Sequence, residues 1–294
     1  MMNKMNLHLP DGKFTQFPLT LLVLLILLIP LICTCTGSNV LSEFAKKDTN
    51  EALLKAAKIH INKSEWSEAI ARFGEMTSDY LAQREVKVIE ASAYGGRCGL
   101  NLVNLAEGLS GTLTSLLFRF LMQQYPGATT TNRDDCVTAE TILKSIDTNA
   151  ANRTTDENLL MIFISFAKIG VTLSAHADSV LVDGAPDAGW NSCTNNASNF
   201  PDASVREVGT GIALALTSLS AISSSSTIAS GQLTNFTDVC TTIASVNASY
   251  DFCSVTVASD FTALQLKAIR SLVGANEYVG IGSCNNTLLN CLCP

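Results

Sequence analysis

The stretch EALLKAAKIHINKSEWSEAIARFGEMTS, residues 51–78, decides the fold. Leu53, Ala56, Ala57 and His60 recur at three- and four-residue steps, the spacing of one face of an α-helix. Asn62-Lys63-Ser64 interrupts the pattern, and Ser64 is placed to cap whatever follows. Trp66, Ala69, Ile70, Phe73 and Met76 then trace a second helical stripe. Two short amphipathic helices across a tight turn must bury their apolar faces against each other and against further helices. The expectation is a helical hairpin at the head of an all-α chain.

The hairpin resembles a tetratricopeptide repeat. That family places small residues where its two helices touch, an aromatic just after the turn, and alanine then an aromatic in the second helix; Ala57, Trp66, Ala69 and Phe73 match those places. The repeat period is about 34 residues. One period on, Ala57 maps to Ala91, His60 to Tyr94, Trp66 to Leu100 and Ala69 to Val103, with Gly99 in the turn. Phe73 maps to Glu107, so the second unit decays, and a third falls on Pro126-Gly127, which is no helix. The resemblance covers about residues 48–110 and implies TPR-like helical repeats over 51–110. An ordinary helical hairpin with alanines at its contacts is the alternative. Within the span, ASAYGGRCGL (91–100) is similar to exported lipoproteins of unknown role in predatory and related Gram-negative bacteria. The first unit also resembles the helical repeat lipoproteins of the outer-membrane assembly machinery. Neither resemblance implies an enzymatic activity.

The N-terminus reads as an export signal. Lys4 and Lys13 precede an apolar run from Leu19 to Ile32, shorter than the roughly 20 residues a bilayer span needs. The run ends in Cys33-Thr34-Cys35 and then turns polar, so residues 1–35 are expected to be a signal peptide. An uncleaved anchor that continues through Cys35 is the alternative. A cysteine closing such a run resembles the lipobox of bacterial lipoproteins, with Cys35 the better acceptor than Cys33. That resemblance implies a diacylglycerol-modified N-terminus on the periplasmic face of a membrane, the outer membrane in many Gram-negative bacteria. Residues 36–50 are polar and suit a tether.

Losing the leader removes Lys4, Lys13 and Asp11, which takes the chain from 26 acidic and 19 basic residues to 25 and 17, and from −7 to −8. An acidic surface is a poor match for phosphate backbones, so no nucleic-acid partner is expected. Cys98, Cys136, Cys193, Cys240, Cys253, Cys284, Cys291 and Cys293 follow Cys35. An even number in an exported chain reads as disulfides. Zinc is the rival, but His60 and His176 are the only histidines after the leader, and neither lies near a cysteine in sequence. Cys98–Cys136 is the first expected pair, a cysteine after a hairpin meeting one at the start of a later helix. Cys240–Cys253 is the second, across a helix end and a turn back.

Residues 111–294 read as a disulfide-stapled helical body with polar loops. Leu113–Met122 is a dense apolar stretch stopped at Pro126. Asp135 is expected to cap a helix over Val137–Ile146. Thr154 and Glu157 have capping-box spacing before Leu159–Leu173, which is apolar nearly all round and so central to a core. Ser204 and Glu207 repeat that spacing before a helix through Ile222. Val208–Thr234 carries no charge but is too rich in Ser and Thr for lipid, and reads as a buried helix and then a loop. Asp260 is expected to open a last helix with Leu264, Leu266, Ile269 and Leu272 on its apolar side and Gly274 at its end. Cys253–Val257 alternates like a short strand.

Three clusters invite chemistry. Arg97 beside Cys98, with His60 as a base, would suit a thiol nucleophile, but a disulfide is the stronger reading of Cys98. Asp178, Asp183, Gly184 and Asp187 could present oxygens to calcium, yet Pro186 and the missing terminal Glu break the EF-hand pattern, leaving a solvated acidic loop. Glu65, Glu68 and Glu75 read as a wet helix face. There is no P-loop, GxGxxG, GxSxG or HExxH motif, and no cofactor or metal is expected. The function expected is a non-enzymatic, lipid-anchored envelope scaffold or adaptor that binds a protein or peptide through its TPR-like helices. The alternative is a periplasmic small-ligand carrier or transporter accessory.

Overall fold

Thr49 starts the first helix by accepting the Ala52 amide on its hydroxyl, at 3.2 Å. From there a computed structural model describes residues 47–110, 115–196, 199–222, 230–277 and 279–294. The leader, Cys35 and most of the tether lie outside the described residues, as do the start of the 113–122 stretch and the serine run at 223–226.

Among the described residues eleven α-helices follow in order: α1 (Asn50–Asn62), α2 (Trp66–Gly74), α3 (Ser78–Leu81), α4 (Arg84–Cys98), α5 (Leu102–Ser110), α6 (Leu117–Gln123), α7 (Thr130–Lys144), α8 (Thr155–Ala177), α9 (Asp202–Ile222), α10 (Ser230–Val246) and α11 (Ala263–Gly274). Short 3-10 turns punctuate the second half, and there is no strand among the described residues. The protein is therefore all-α. Residues 48–294 form one compact unit.

The packing runs as a series of neighbours, α1 on α2, α2 on α4, α4 on α7, α7 on α8, α8 on α9 and α9 on α11. The α8–α9 pair is the most extensive contact. Its closeness rests on Gly211, where a Cβ would stand 2.8 Å from Ile169 Cγ1; on another side of α8, a Cβ at Gly170 would stand 2.6 Å from the Leu121 carbonyl oxygen, so glycine also admits α6. Both helices of the α8–α9 pair are long and apolar enough to span a bilayer, yet most of that length is buried inside the protein. They are the core on which α6, α7 and α11 assemble.

The first hairpin has its own small core of Leu53, Ala57, Ala69, Phe73 and Met76, closed by Val86 and Ala93 of α4. Ala57 and Ala69 are fully buried, and Ala71 is exposed. Ala69→Leu should therefore overpack the contact and cost about 1–3 kcal/mol, whereas Ala71→Leu should stay within about 0.5 kcal/mol. Urea midpoints of the two variants check this, and equal stabilities would mean that α1 and α2 do not pack through Ala69.

The second unit of the expected repeat is built differently. Ala91 is buried and Gly99 does make the turn, at φ +111°, a left-handed conformation natural to glycine. However, α4 takes α7 as its main partner in place of α5, and Val103, where the repeat wants a contact alanine, is 64% exposed.

Several helix starts also differ from expectation. Ser64 sits at φ +59° and does not cap α2. Asp135 lies inside α7, which begins at Thr130 under a Thr129–Asn132 capping box, and pairs with Arg97. Ser204 and Glu207 form no capping box: Ser204 meets His176, and Glu207 meets Lys168. The helix after Asp260 starts at Ala263 under Thr262 and Gln265, and Leu264 is exposed. In these last three cases a polar side chain serves a partner distant in sequence or yields to a neighbouring threonine. The Thr154–Glu157 box forms as expected, with Glu157 also held by Arg84 of α4. Cys253–Val257 is a turn, since Asp251 accepts the Cys253 amide and Phe252 the Val255 amide, and no strand among the described residues offers a ladder. Residues 230–234, read as loop, are the first turn of α10.

Candidate functional site

An open concavity lies where α5 leaves the body. Gly99 ends α4, and Asn101 caps α5 by accepting the Asn104 amide at 3.1 Å. That turn tucks Leu100 into the core and leaves Leu102 and Val103 facing outward. Opposite them, α8 presents Leu159, Leu160 and Phe163. The result is an open, apolar groove of about 470 Å³ between α5 and α8, with Glu107 and Asp156 among its lining residues.

A second cleft of about 500 Å³ continues it, sharing Leu102, Val103 and Leu160 and reaching Trp66 and Ile61 of the first hairpin. Gly96 makes this extension possible. A Cβ there would lie 2.5 Å from the Trp66 indole, so only glycine lets the ring lie against α4. Trp66 is half-buried, with one side against α4 and the rest lining the cleft. Together the two clefts make an apolar track within the volume range of ordinary ligand sites, and both are open to solvent.

Two polar clusters lie deeper. Lys168, in the middle of α8, is fully buried. Its ammonium donates to Glu140 of α7, to Glu207 of α9 at 3.1 Å and to the Thr210 hydroxyl at 2.6 Å. Burial works to lower the lysine's pKa, but the two carboxylates outweigh it and hold the pKa above its ordinary value. Near the C-terminal end of α8, His176 Nε2 lies 2.8 Å from Ser204 Oγ, and Arg133 donates to the same oxygen at 3.2 Å. Burial, and after it the Arg133 charge, lowers the His176 pKa. This is the geometry of a serine activated by a base. Yet Ser204 is completely buried, so no carbonyl has a path to its oxygen, and the pair acts as a strut between α8 and α9.

The residues singled out in the sequence fall elsewhere. Cys98 lies at disulfide-bonding distance from Cys136, and Cys240 from Cys253, with Cα separations of 5.2 and 6.0 Å. Cys193 pairs with Cys293 and Cys284 with Cys291. Arg97 turns to Asp135, and His60 to Glu65. The acidic loop is more than solvated. Buried Asp178 accepts the amides of Asp183 and Gly184, and Asp187 accepts those of Ser179, Val180 and Leu181, so both carboxylates organise backbone. Glu68 and Glu75 are exposed. Among the described residues no group of His, Cys, Asp and Glu is arranged to hold a metal.

Sequence reasoning missed the groove because its walls come from helices that pack far apart in the chain. It missed the Lys168 cluster although a signal was present, namely a single lysine inside the apolar run LLMIFISFAKIGVTL (159–173). No family model, curated protein or solved structure matches this chain.

Proposed function

We propose that this chain is an exported, lipid-anchored adaptor of the cell envelope that seats an apolar helical segment of a partner protein in the track beside α5. The observation that carries the reading is the open apolar groove between α5 and α8, flanked by Leu102 and Val103 at 44% and 64% exposure. Aliphatic side chains left in water on a concave, solvent-open wall gain by burial, at about 25 cal/mol per Å² of apolar area covered. An amphipathic helix offers such a stripe at three- and four-residue spacing. The lipid at Cys35 would hold the module at the membrane face where that partner resides, and the acidic charge of the chain favours partners with basic flanks.

A photoreactive amino acid at position 103, introduced in intact cells, tests the reading. One discrete cross-linked species is expected from position 103 and none from position 68 on the exposed face of α2. Phe163→Glu should abolish that species without changing the protein's level, and Cys35→Ala should both release the protein from the membrane fraction and weaken the cross-link. A cross-link that survives Phe163→Glu, or none from position 103, would overturn the adaptor reading. Co-purification of a small apolar molecule in the groove would instead support the carrier.

A further inference from the structure

From the Lys168 cluster we infer a covalent bond: an isopeptide link between Lys168 Nζ and Glu140 Cδ, formed with Glu207 as proton carrier. Three observations converge on it. The amine nitrogen is in direct contact with a Glu140 carboxylate oxygen and also bonds the Thr210 hydroxyl at 2.6 Å, which holds the two reacting groups next to each other. A second carboxylate, Glu207, stands 3.1 Å from the same nitrogen, within reach for proton transfer. The lysine side chain is 0% exposed and that of Glu140 7% exposed, whereas that of Glu207 is 19% exposed and therefore the one of the three nearest water.

The chemistry closes without any other reagent. Glu207 takes one proton from the ammonium and passes it to Glu140, leaving a neutral amine beside a carboxylic acid. The amine lone pair attacks Cδ of Glu140, and the C–N bond forms. Glu207 then carries a second proton from that nitrogen to the leaving hydroxyl, the C–O bond breaks, and one water departs. Lys168 and Glu140 end as an amide, and Glu207 ends as the carboxylate it was. The driving force is burial: an ammonium and a carboxylate out of water are costly, and an amide with hydrogen-bond partners at hand costs far less. The bond would also supply a tie that cysteine does not, because α8, the longest helix among the described residues, contains no cysteine.

Mass spectrometry of the full-length protein, reduced, alkylated and digested with trypsin, tests this directly. The expected result is a branched peptide in which residues 134–144 are joined to residues 154–206, uncut after Lys168 and lighter than its two parts by one water. Lys168→Met and Glu140→Ala should both abolish it. Glu207→Gln, which keeps shape and hydrogen bonding but cannot carry the proton as a carboxylate, should leave most of the protein unlinked while still folded. Complete cleavage after Lys168 in the unaltered protein would overturn the proposal, as would a branched peptide undiminished in Glu207→Gln.

Discussion

Lys168→Ala is expected to destabilise the protein by about 3–5 kcal/mol, among the largest effects of any single substitution. The lysine is fully buried and faces two carboxylates, so its removal leaves Glu140 and Glu207 near each other in the interior with no cation between them. Water reaches the vacated space poorly, because the Lys168 side chain is 0% exposed and that of Glu140 7%. The lost stem leaves a cavity as well, which adds to the electrostatic cost. Chemical denaturation followed by circular dichroism measures the change. Lys267→Ala on α11, outside the buried network, serves as the reference and should stay within about 0.5 kcal/mol. A Lys168→Ala loss below about 1 kcal/mol would mean that the cluster is solvated and that the centre of α8 is not the core.

The same lysine shows how far the fold could be read in advance. Local signals held where a distant partner could be met without giving up the local bond, as when Glu157 takes Arg84 and the Thr154 amide together. Thr154 and Glu157 formed their box at the head of α8, and the three- and four-residue steps of Leu53, Ala57, Ala69 and Phe73 became a buried contact. Ser204 and Glu207 have the same spacing as Thr154 and Glu157, yet one reaches back to His176 and the other to Lys168. A hydrogen bond inside the core, where no water competes, outweighs a cap at a helix end. Nothing in the local sequence separates the two cases. What distinguishes them is which helix lies opposite, and that is decided by tertiary packing.

The groove was illegible for a related reason. Leu102 and Val103 look like the next turn of a repeat and would have been buried had α5 packed on α4 as α2 packs on α1. Instead α7 occupies that side of α4, aligned by the Arg97–Asp135 pair at 2.6 Å and by Cys98 with Cys136. Displaced from α4, α5 leaves its aliphatic residues in solvent beside α8. The departure from the repeat and the appearance of the candidate site are thus one event. A sequence reading that stays within a 34-residue period cannot anticipate it.

Removing the Cys193–Cys293 link should cost about 4–5 kcal/mol, more than removing any other of the four. In the chain-entropy account a disulfide stabilises by restricting the unfolded chain, and the restriction grows with the loop closed. Cys193 and Cys293 are 100 residues apart, against 38 for Cys98 and Cys136, 13 for Cys240 and Cys253, and 7 for Cys284 and Cys291. The long link also fastens the C-terminus beside the segment that Arg270 organises. Arg270 is buried, donates to the Ser192 carbonyl at 2.9 Å and to that of Phe200, and pairs with Asp202 at the start of α9 at 2.7 Å. Loss of the link frees the strand of chain that closes over this guanidinium, so the entropic cost comes with exposure of a buried charge. By contrast, Cys284 and Cys291 close so short a loop that their double serine variant should lose only about 2 kcal/mol. Double Cys→Ser variants of each pair, unfolded in urea under identical conditions, give the comparison. The expected order of loss follows loop length, with the 193–293 variant the least stable and the 284–291 variant the most. If the 284–291 variant proved the weaker of those two, unfolded-chain entropy would not be what these links supply, and their contribution would have to lie in contacts of the folded state.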